Sequence, residues 1–504
     1  MVVNVPWTWS SEIYDPIHHV IPVAIWEQIV LNSWSMRRLQ RTFQTGYNFL
    51  ALPGATHTRY AHAIGAMHLA WRIYEYVIGI PNSPDKIQHA ICLRLAALLH
   101  DVGHGPLSHA SETFMAKLGV IKERFHEEAA RKIITDEMKS IWADVAQEIE
   151  NETGHKYSPK ALVDEILNIL FKRSHFLHPL VSGDIDVDRL DYLRRDAFHT
   201  NITFTGFDTD LLVAHLRYTQ ADGFYLESFD GIKAAEAMLI ARDQNFSIIN
   251  FNPINRLSTA IAERILHLGL SAQRFPQLFD RRKAFLNKVM ASPDQASPEE
   301  LDIDAIWGFA RSDDIDLWKA VEEIVESSTP ARSFFEFFFK QPERTYFVYA
   351  KELHPDLREW LGKASHWQIA FLERIMELRL LERAKAGASA EDNSLIVDMM
   401  PYPAEPKYHR FRIRHNPDMV IGKAQTFEDI DAIPTVKALR DNERLAWRIC
   451  IYGLNLDDID INNLKDEIKH LFIDNPLIRR DNKQNFYSLI QQLAAKELTS
   501  LGQQ

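Results

Sequence analysis

The sequence predicts a mainly helical protein that ends in a smaller α+β lobe. Three observations lead there. Apolar residues recur at helical spacing through long stretches of the first 200 residues, and glycine is scarce at 19 in 504. Short β-like runs occur only beyond residue 220, and nothing resembles a strand–helix–strand alternation. Hydrophobic residues at 46% and charged residues at 25% are ordinary for a globular chain and exclude a disordered, collagen-like or disulfide-scaffold protein. The expected division is a helical core over 1–270 and an α+β lobe over 271–504.

Residues 21–43 place apolar side chains at helical spacing and end in basic residues, with Asn32 or Ser33 positioned to start a second helical segment. Pro53 and Gly54 break the chain in LALPGATHT. Thr56 is then a candidate N-cap for a helix reading RYAHAIGAMHLAWRIYEYV, which stops at Gly79 and Pro81. Residues 86–101 are apolar nearly all round, so that helix should be buried. HEEAARKII begins at His126, and 181–198 is acidic, helically spaced and interleaved with arginine. Farther on, GFYLES, TYFVYA, LIVDMM and YHRFRIR read as strands, and ASPDQASPEELDID and AKAGASAEDNS as loops or linkers.

Cys92 and Cys450 both lie in apolar runs, which fits a reducing compartment and leaves any metal to His, Asp or Glu. The net charge of −12 argues against a protein that coats nucleic acid, while permitting a small basic pocket. The N-terminal residues lack a basic stretch followed by an apolar one, and no apolar run approaches the roughly 18 residues of a membrane-spanning helix. The expectation is a soluble, cytoplasmic protein without a membrane partner.

Histidine is the uneven component. Of 21 histidines, His57, His62, His68, His89, His100, His104 and His109 fall within 57–109, about a tenth of the chain. His100 and Asp101 stand together at the end of the buried helix, where a carboxylate is costly without a cation. Imidazole and carboxylate together suit Mn, Fe, Zn or Mg. A lone His–Asp pair is more often a helix-end hydrogen bond than a metal site, so spacing alone favours the hydrogen bond while leaving the metal open. Asp188, Asp191, Tyr192 and Arg195 share one helix face, which can serve a site or be a solvated surface of Asp–Arg pairs.

The ordered segments DPIH (Asp15 to His18), Gln44, PGATHTRYAHAIG (Pro53 to Gly65), LLHDVGHGPLSH (Leu98 to His109), HEEAA (from His126) and IDVDRLDYLRRD (Ile185 to Asp196) resemble the HD-domain deoxynucleoside triphosphate triphosphohydrolases. That family includes the bacterial dGTP triphosphohydrolases and the vertebrate enzyme that joins an HD domain to a sterile-alpha-motif domain. The likeness is strong over about 13–218 and weak beyond. It implies an HD-domain helical catalytic core and assigns the metal set to His62, His100, Asp101 and Asp188. It further implies His109 as proton donor, His104 as a phosphate-side partner and His126 in support. Arg59, Arg189 and Arg242 would hold phosphates, while Gln44, Tyr192 and Asp196 would read the sugar, its 3′ hydroxyl in particular. The implied reaction is hydrolysis of a dNTP at the α-phosphorus to deoxynucleoside and inorganic triphosphate, with a homo-oligomer and a dNTP or NTP activator as family features. Asp196 could alternatively pair with Arg195, and Arg59 and Arg189 could form structural salt bridges.

The chain departs from that pattern at several positions. Thr45 and Gly46 follow Gln44 where the family has Leu and Gly, so a hydroxyl faces the sugar's 2′ position and weakens rejection of ribose. Asn32 and Gln40 stand where the vertebrate-type activator site has Asp and Arg, and Asn250 where an aromatic residue is expected. Two other functions compete: an HD-type nuclease or phosphodiesterase, for which only Arg37 to Arg41 and RLDYLRR offer local basic charge, and a nucleotide sensor without turnover. The four intact metal positions argue against the sensor.

Overall fold

The computed structural model describes residues 5–121, 125–183, 185–203, 206–298, 307–338, 342, 344–384, 395–399, 412–414, 425–426, 447–454, 456, 459–474, 476–478 and 483–503. The chain divides into two compact units, each drawn from separate stretches. The first comprises Met1–Ser108, His126–Ile249 and Lys407–Arg440, and the second His109–Phe125, Asn250–Pro406 and Asp441–Gln504.

The first unit opens with an antiparallel hairpin, Ser11–Asp15 against His19–Val23. Its turn is made by Asp15, whose Oδ1 accepts from the backbone N–H of Ile17 and His18, both at 2.9 Å. Residues 21–23, expected to begin a helix, are instead the end of this hairpin. Pairing with the first strand overrides their helical spacing, and the helix begins at Ile25 (Ile25–Leu31). Ser33 caps the second segment, Trp34–Arg38.

Helix Arg59–Val77 is capped by Thr58 rather than Thr56. Thr58 Oγ1 accepts from the N–H of Ala61 at 3.4 Å, whereas Thr56 lies two residues too early to reach the first turn. Pro84–Leu99 follows, capped by Ser83 and opened by Pro84, and its apolar residues from Ala90 to Leu99 are buried as expected. Arg94, buried among them, is ion-paired to the buried Glu27. Val187–Thr200 starts under an Asp186 cap that accepts from Arg189 N at 2.8 Å. It crosses Arg59–Val77 closely because Gly65 lacks a side chain: a Cβ there would lie 1.9 Å from Asp191 Oδ1. Ser228–Asn245 packs beside it. A small sheet joins Leu216–Thr219 to Gly223–Glu227, then Arg412–Arg414 and Gln425–Thr426.

The second unit holds helices Pro253–Leu268, Pro276–Ala291, His366–Ala384 and Lys483–Gln503, among others. Its three-stranded sheet places Arg448–Gly453 between Arg344–Tyr349 and Leu395–Met399, both antiparallel to it. The strands expected at GFYLES, TYFVYA and LIVDMM are present, and Arg412–Arg414 is the described part of YHRFRIR; AKAGASAEDNS lies almost wholly outside the described residues. The mainly helical class with a smaller α+β part is therefore the observed one. Among the described residues no helix is long and apolar enough to cross a membrane, and Cys92 and Cys450 are buried and free.

Candidate metal centre

Three helices of the first unit bring the candidate ligands together. His62 lies in the first turn of Arg59–Val77, His100 and Asp101 follow Pro84–Leu99, and Asp188 sits in the first turn of Val187–Thr200. His62 Nε2 is 3.2 Å from His100 Nε2, 3.1 Å from Asp188 Oδ1 and 3.6 Å from Asp101 Oδ2. His100 Nε2 is 3.4 Å from Asp101 Oδ1 and 3.7 Å from Asp188 Oδ1. His62 is fully buried, whereas the Asp188 side chain is 38% exposed, so the cluster opens on the Asp188 side.

Both imidazoles are oriented from behind. His62 Nδ1–H donates to Asp191 Oδ2 at 2.8 Å, and His100 Nδ1–H donates to the Ala97 carbonyl at 2.7 Å. In the neutral imidazoles these acceptors place the proton on Nδ1 and leave Nε2 as the atom able to bind a metal. A cation between the two Nε2 atoms would take the place of the protons that otherwise satisfy them. The spacings of 3.1–3.7 Å among His62, His100 and Asp188 suit a coordination shell, given metal–ligand bonds of about 2.0–2.2 Å, while Asp101 turns a different oxygen to each imidazole. The rear bonds to carboxylate and carbonyl are the outer partners that metal-bound imidazoles use. The residues present thus fit a divalent metal.

Electrostatics agree. Burial pushes the His62 imidazole down, but the Asp188 and Asp191 carboxylates outweigh it and hold its pKa up to about 10. His100 is also raised, burial being outweighed chiefly by Asp101 and Asp188. Burial pushes Asp188 up, yet His100 and His62 keep it far below the usual carboxylate range, and Arg59 with His100 does the same for Asp101. Without metal, the cluster draws protons to supply the positive charge that a divalent ion would bring.

Behind His62, Asp191 accepts from Arg195 Nε and Nη2 at 2.8 and 2.9 Å and meets His18 Nε2 at 2.7 Å, and Arg195 Nη1 reaches Asp15 Oδ2 at 2.7 Å. This buried network ties the hairpin turn to the ligand helix. Arg38, also buried, donates to the carbonyls of Val102 and His104, both at 2.7 Å, and fixes the loop after Asp101.

The other predicted residues are placed as follows. Arg59 is ion-paired to Asp101 and donates from Nε to Ser108 Oγ at 2.6 Å. Arg189 pairs with its own cap Asp186 at 3.0 Å. Arg242 is buried on Ser228–Asn245, 4.9 Å over the Phe246 ring. His104 lies 3.4 Å from Asp101 Oδ1 and stacks on His126, ring centroids 4.4 Å apart. Burial, with Arg59 and His126, holds the His104 pKa well below the ordinary imidazole value. Tyr192 lies within the fields of Arg242 and Asp188, and burial pushes its phenol up. Gln44 donates its backbone N–H to the His57 carbonyl at 3.0 Å. Asp196 meets His57 Nε2 at 2.7 Å and accepts from Asn245 Nδ2 at 2.8 Å. Its alternative pairing with Arg195 is not made, because Arg195 is committed to Asp191 and Asp15. His109 opens His109–Lys117 in the second unit, its side chain 71% exposed with Nδ1 3.4 Å from Glu112 Oε2.

Residues 59–196 match the family model of the HD domain. Over that span the chain is similar to the HD domain. That span runs from Arg59 to Asp196 and includes all four candidate ligands. Relatives include Bacillus subtilis "Uncharacterized protein YwfO", 30% identical over 276 residues, 54% of this chain and 57% of that protein. The Bos taurus protein named deoxynucleoside triphosphate triphosphohydrolase SAMHD1 is 28% identical over 232 residues, 42% of this chain and 39% of its own length. These matches span about half of the relatives' length or less. A solved phosphohydrolase structure from Bacteroides thetaiotaomicron superposes with a TM-score of 0.60 at 20% identity, over 88% of this chain and all of that one. At that identity the likeness is one of fold.

Sequence reasoning gave no task to His57 or Asn245, the two side chains that hold Asp196. It placed Asp191 and Arg195 on the face of Asp188 but assigned them no task, although Asp15 and His18 in DPIH were the signal for their partners.

Proposed function

We propose that this HD-domain protein is a divalent-metal phosphohydrolase that converts dNTPs to deoxynucleoside and inorganic triphosphate by water attack at the α-phosphorus. The observation that carries it is the convergence of His62 Nε2 and His100 Nε2, 3.2 Å apart, with the carboxylates of Asp188 and Asp101. The substrate class is supported by the ordered segments from DPIH to LDYLRRD and by relatives named dNTP triphosphohydrolases.

A metal held by His62, His100, Asp101 and Asp188 would neutralise charge at phosphorus and lower the pKa of water. Arg59, Arg189 and Arg242 supply guanidinium forks for the triphosphate. His104, kept neutral by its surroundings, offers a hydrogen bond to a phosphate oxygen without adding charge beside Asp101, and His126 fixes its ring plane. Bond breaking leaves the deoxyribose 5′ oxygen, a poor leaving group, and His109 gives it a proton. Gln44, Tyr192 and Asp196 hold the sugar. Gln44 Oε1 and Thr45 Oγ1 are buried and have no hydrogen-bond partner among the described residues, which suits a polar ligand. The family likeness adds a homo-oligomer and a dNTP or NTP activator in a cytoplasmic enzyme.

The test is product analysis. Purified protein is incubated with each dNTP, each NTP, single-stranded DNA and RNA, with Mg or Mn. Deoxynucleoside plus triphosphate is expected; monophosphates released from a polymer would replace this function with a nuclease, and binding without turnover would replace it with a sensor.

A further inference from the structure

Asp196 is gripped by two side chains that the mechanism above leaves unused. His57, 5% exposed, and Asn245, fully buried, each take one carboxylate oxygen: Nε2 of His57 lies 2.7 Å from Oδ1, and Nδ2 of Asn245 lies 2.8 Å from Oδ2. The carboxylate acceptor assigns the His57 ring proton to Nε2. His199 stacks on the same ring at 4.7 Å, with planes 20° apart.

The His57 backbone is fastened as firmly. Its carbonyl accepts from Gln44 N at 3.0 Å, Phe43 pairs with Thr58, and Arg59 N donates to the Thr42 carbonyl at 2.9 Å. One residue thereby joins the two groups assigned to the sugar, Gln44 through its carbonyl and Asp196 through its ring. His57 Nδ1 is itself buried without a hydrogen-bond partner among the described residues.

The clamp has a chemical consequence. With one donor on each oxygen, the plane of the carboxylate is fixed and its remaining lone pairs can receive only a further donor. Such an acceptor binds a hydroxyl and discriminates against a 3′ carbon bearing hydrogen or an ether.

We propose that His57 is a positioning residue that sets specificity for the substrate's 3′ hydroxyl, by locking Asp196 together with Asn245 and tying it to Gln44. This rests on the dNTP function proposed above.

The test compares kcat/KM for a dNTP, its 2′,3′-dideoxy analogue and its 3′-O-methyl analogue in the wild type, His57→Gln, His57→Asn and Asn245→Ala. A glutamine amide nitrogen reaches the place of Nε2, whereas that of asparagine falls near Nδ1. The wild type is expected to favour the dNTP by about 100-fold or more over both analogues. His57→Asn should shrink that ratio by about tenfold with little change in the rate on the dideoxy analogue, His57→Gln should keep most of it, and Asn245→Ala should behave like His57→Asn. An unchanged ratio in folded His57→Asn, or an equal loss on all three substrates, overturns the proposal. Should His57→Asn fail to fold, the Asn245→Ala ratio decides. No dNTP turnover by the wild type removes the function itself, and the proposal with it, an outcome distinct from turnover with unaltered discrimination.

Discussion

In the second unit, Lys117 lies 3.0 Å from Glu263 and 3.1 Å from Glu373, Arg256 is ion-paired to Asp398, and Arg264 and Arg374 share Glu377 at 2.8 and 2.7 Å. Glu373 and Glu377 also accept from the N–H groups of Met399 and Val397, at 2.7 and 3.1 Å, along the edge of the sheet. In the first unit, His62, His100, Asp101 and Asp188 converge with the two Nε2 atoms 3.2 Å apart and Asp188 partly open to solvent. The charges of one cluster are matched, four cations to four carboxylates; those of the other are matched only if protons or a metal are added. Burial of charge is therefore a poor marker of function by itself. Where cations and carboxylates match in number, the network can hold itself together without a ligand; where imidazoles and carboxylates converge without a matching cation, it can hold one.

The largest effect should follow from breaking the cluster without a matching cation. Asp101→Ala is expected to lose metal and turnover together, the rate falling by about 10³-fold or more. Elemental analysis beside product formation checks this, and retained metal with full turnover would remove the site assignment. For His109→Ala the metal should stay while turnover drops by about 10² to 10⁴-fold. An unchanged rate would show that the proton comes from elsewhere.

The matched cluster answers differently. Lys117→Met leaves Glu263 and Glu373 without their cation, and a loss of about 3–5 kcal/mol is expected in denaturant unfolding. Metal bound per folded chain should not change. If folded Lys117→Met also lost its metal, the distinction between the two clusters would fail.

Much of this was legible before the structure. Helical spacing located the helices carrying His62 and Asp188, and the apolar run located the one preceding His100, because burial of one face leaves a periodic trace. The His–Asp adjacency at a buried helix end announced a charge needing a partner. The hairpin over 11–23 left no such trace: its strands are only five residues long, the first is largely exposed, and the apolar residues of the second continue into a helix. His57 was illegible for another reason. Its partner Asp196 is 139 residues away, Asn245 a further 49, and a single histidine in a loop carries no period. The choice of Thr58 over Thr56 as the helix cap turned on two identical side chains two residues apart, which composition cannot separate.

The smallest expected effect probes the comparison at a single atom. Thr45 Oγ1 is buried with no partner among the described residues. If such polar atoms point to ligand, this hydroxyl faces the sugar and partly satisfies a ribose 2′ hydroxyl. Thr45→Val keeps the shape and removes the hydrogen bond. It should raise the ratio of dNTP to NTP turnover by about fivefold, roughly 1 kcal/mol, mostly by slowing the NTP. A ratio that stays constant while both substrates slow equally would make Thr45 a packing residue.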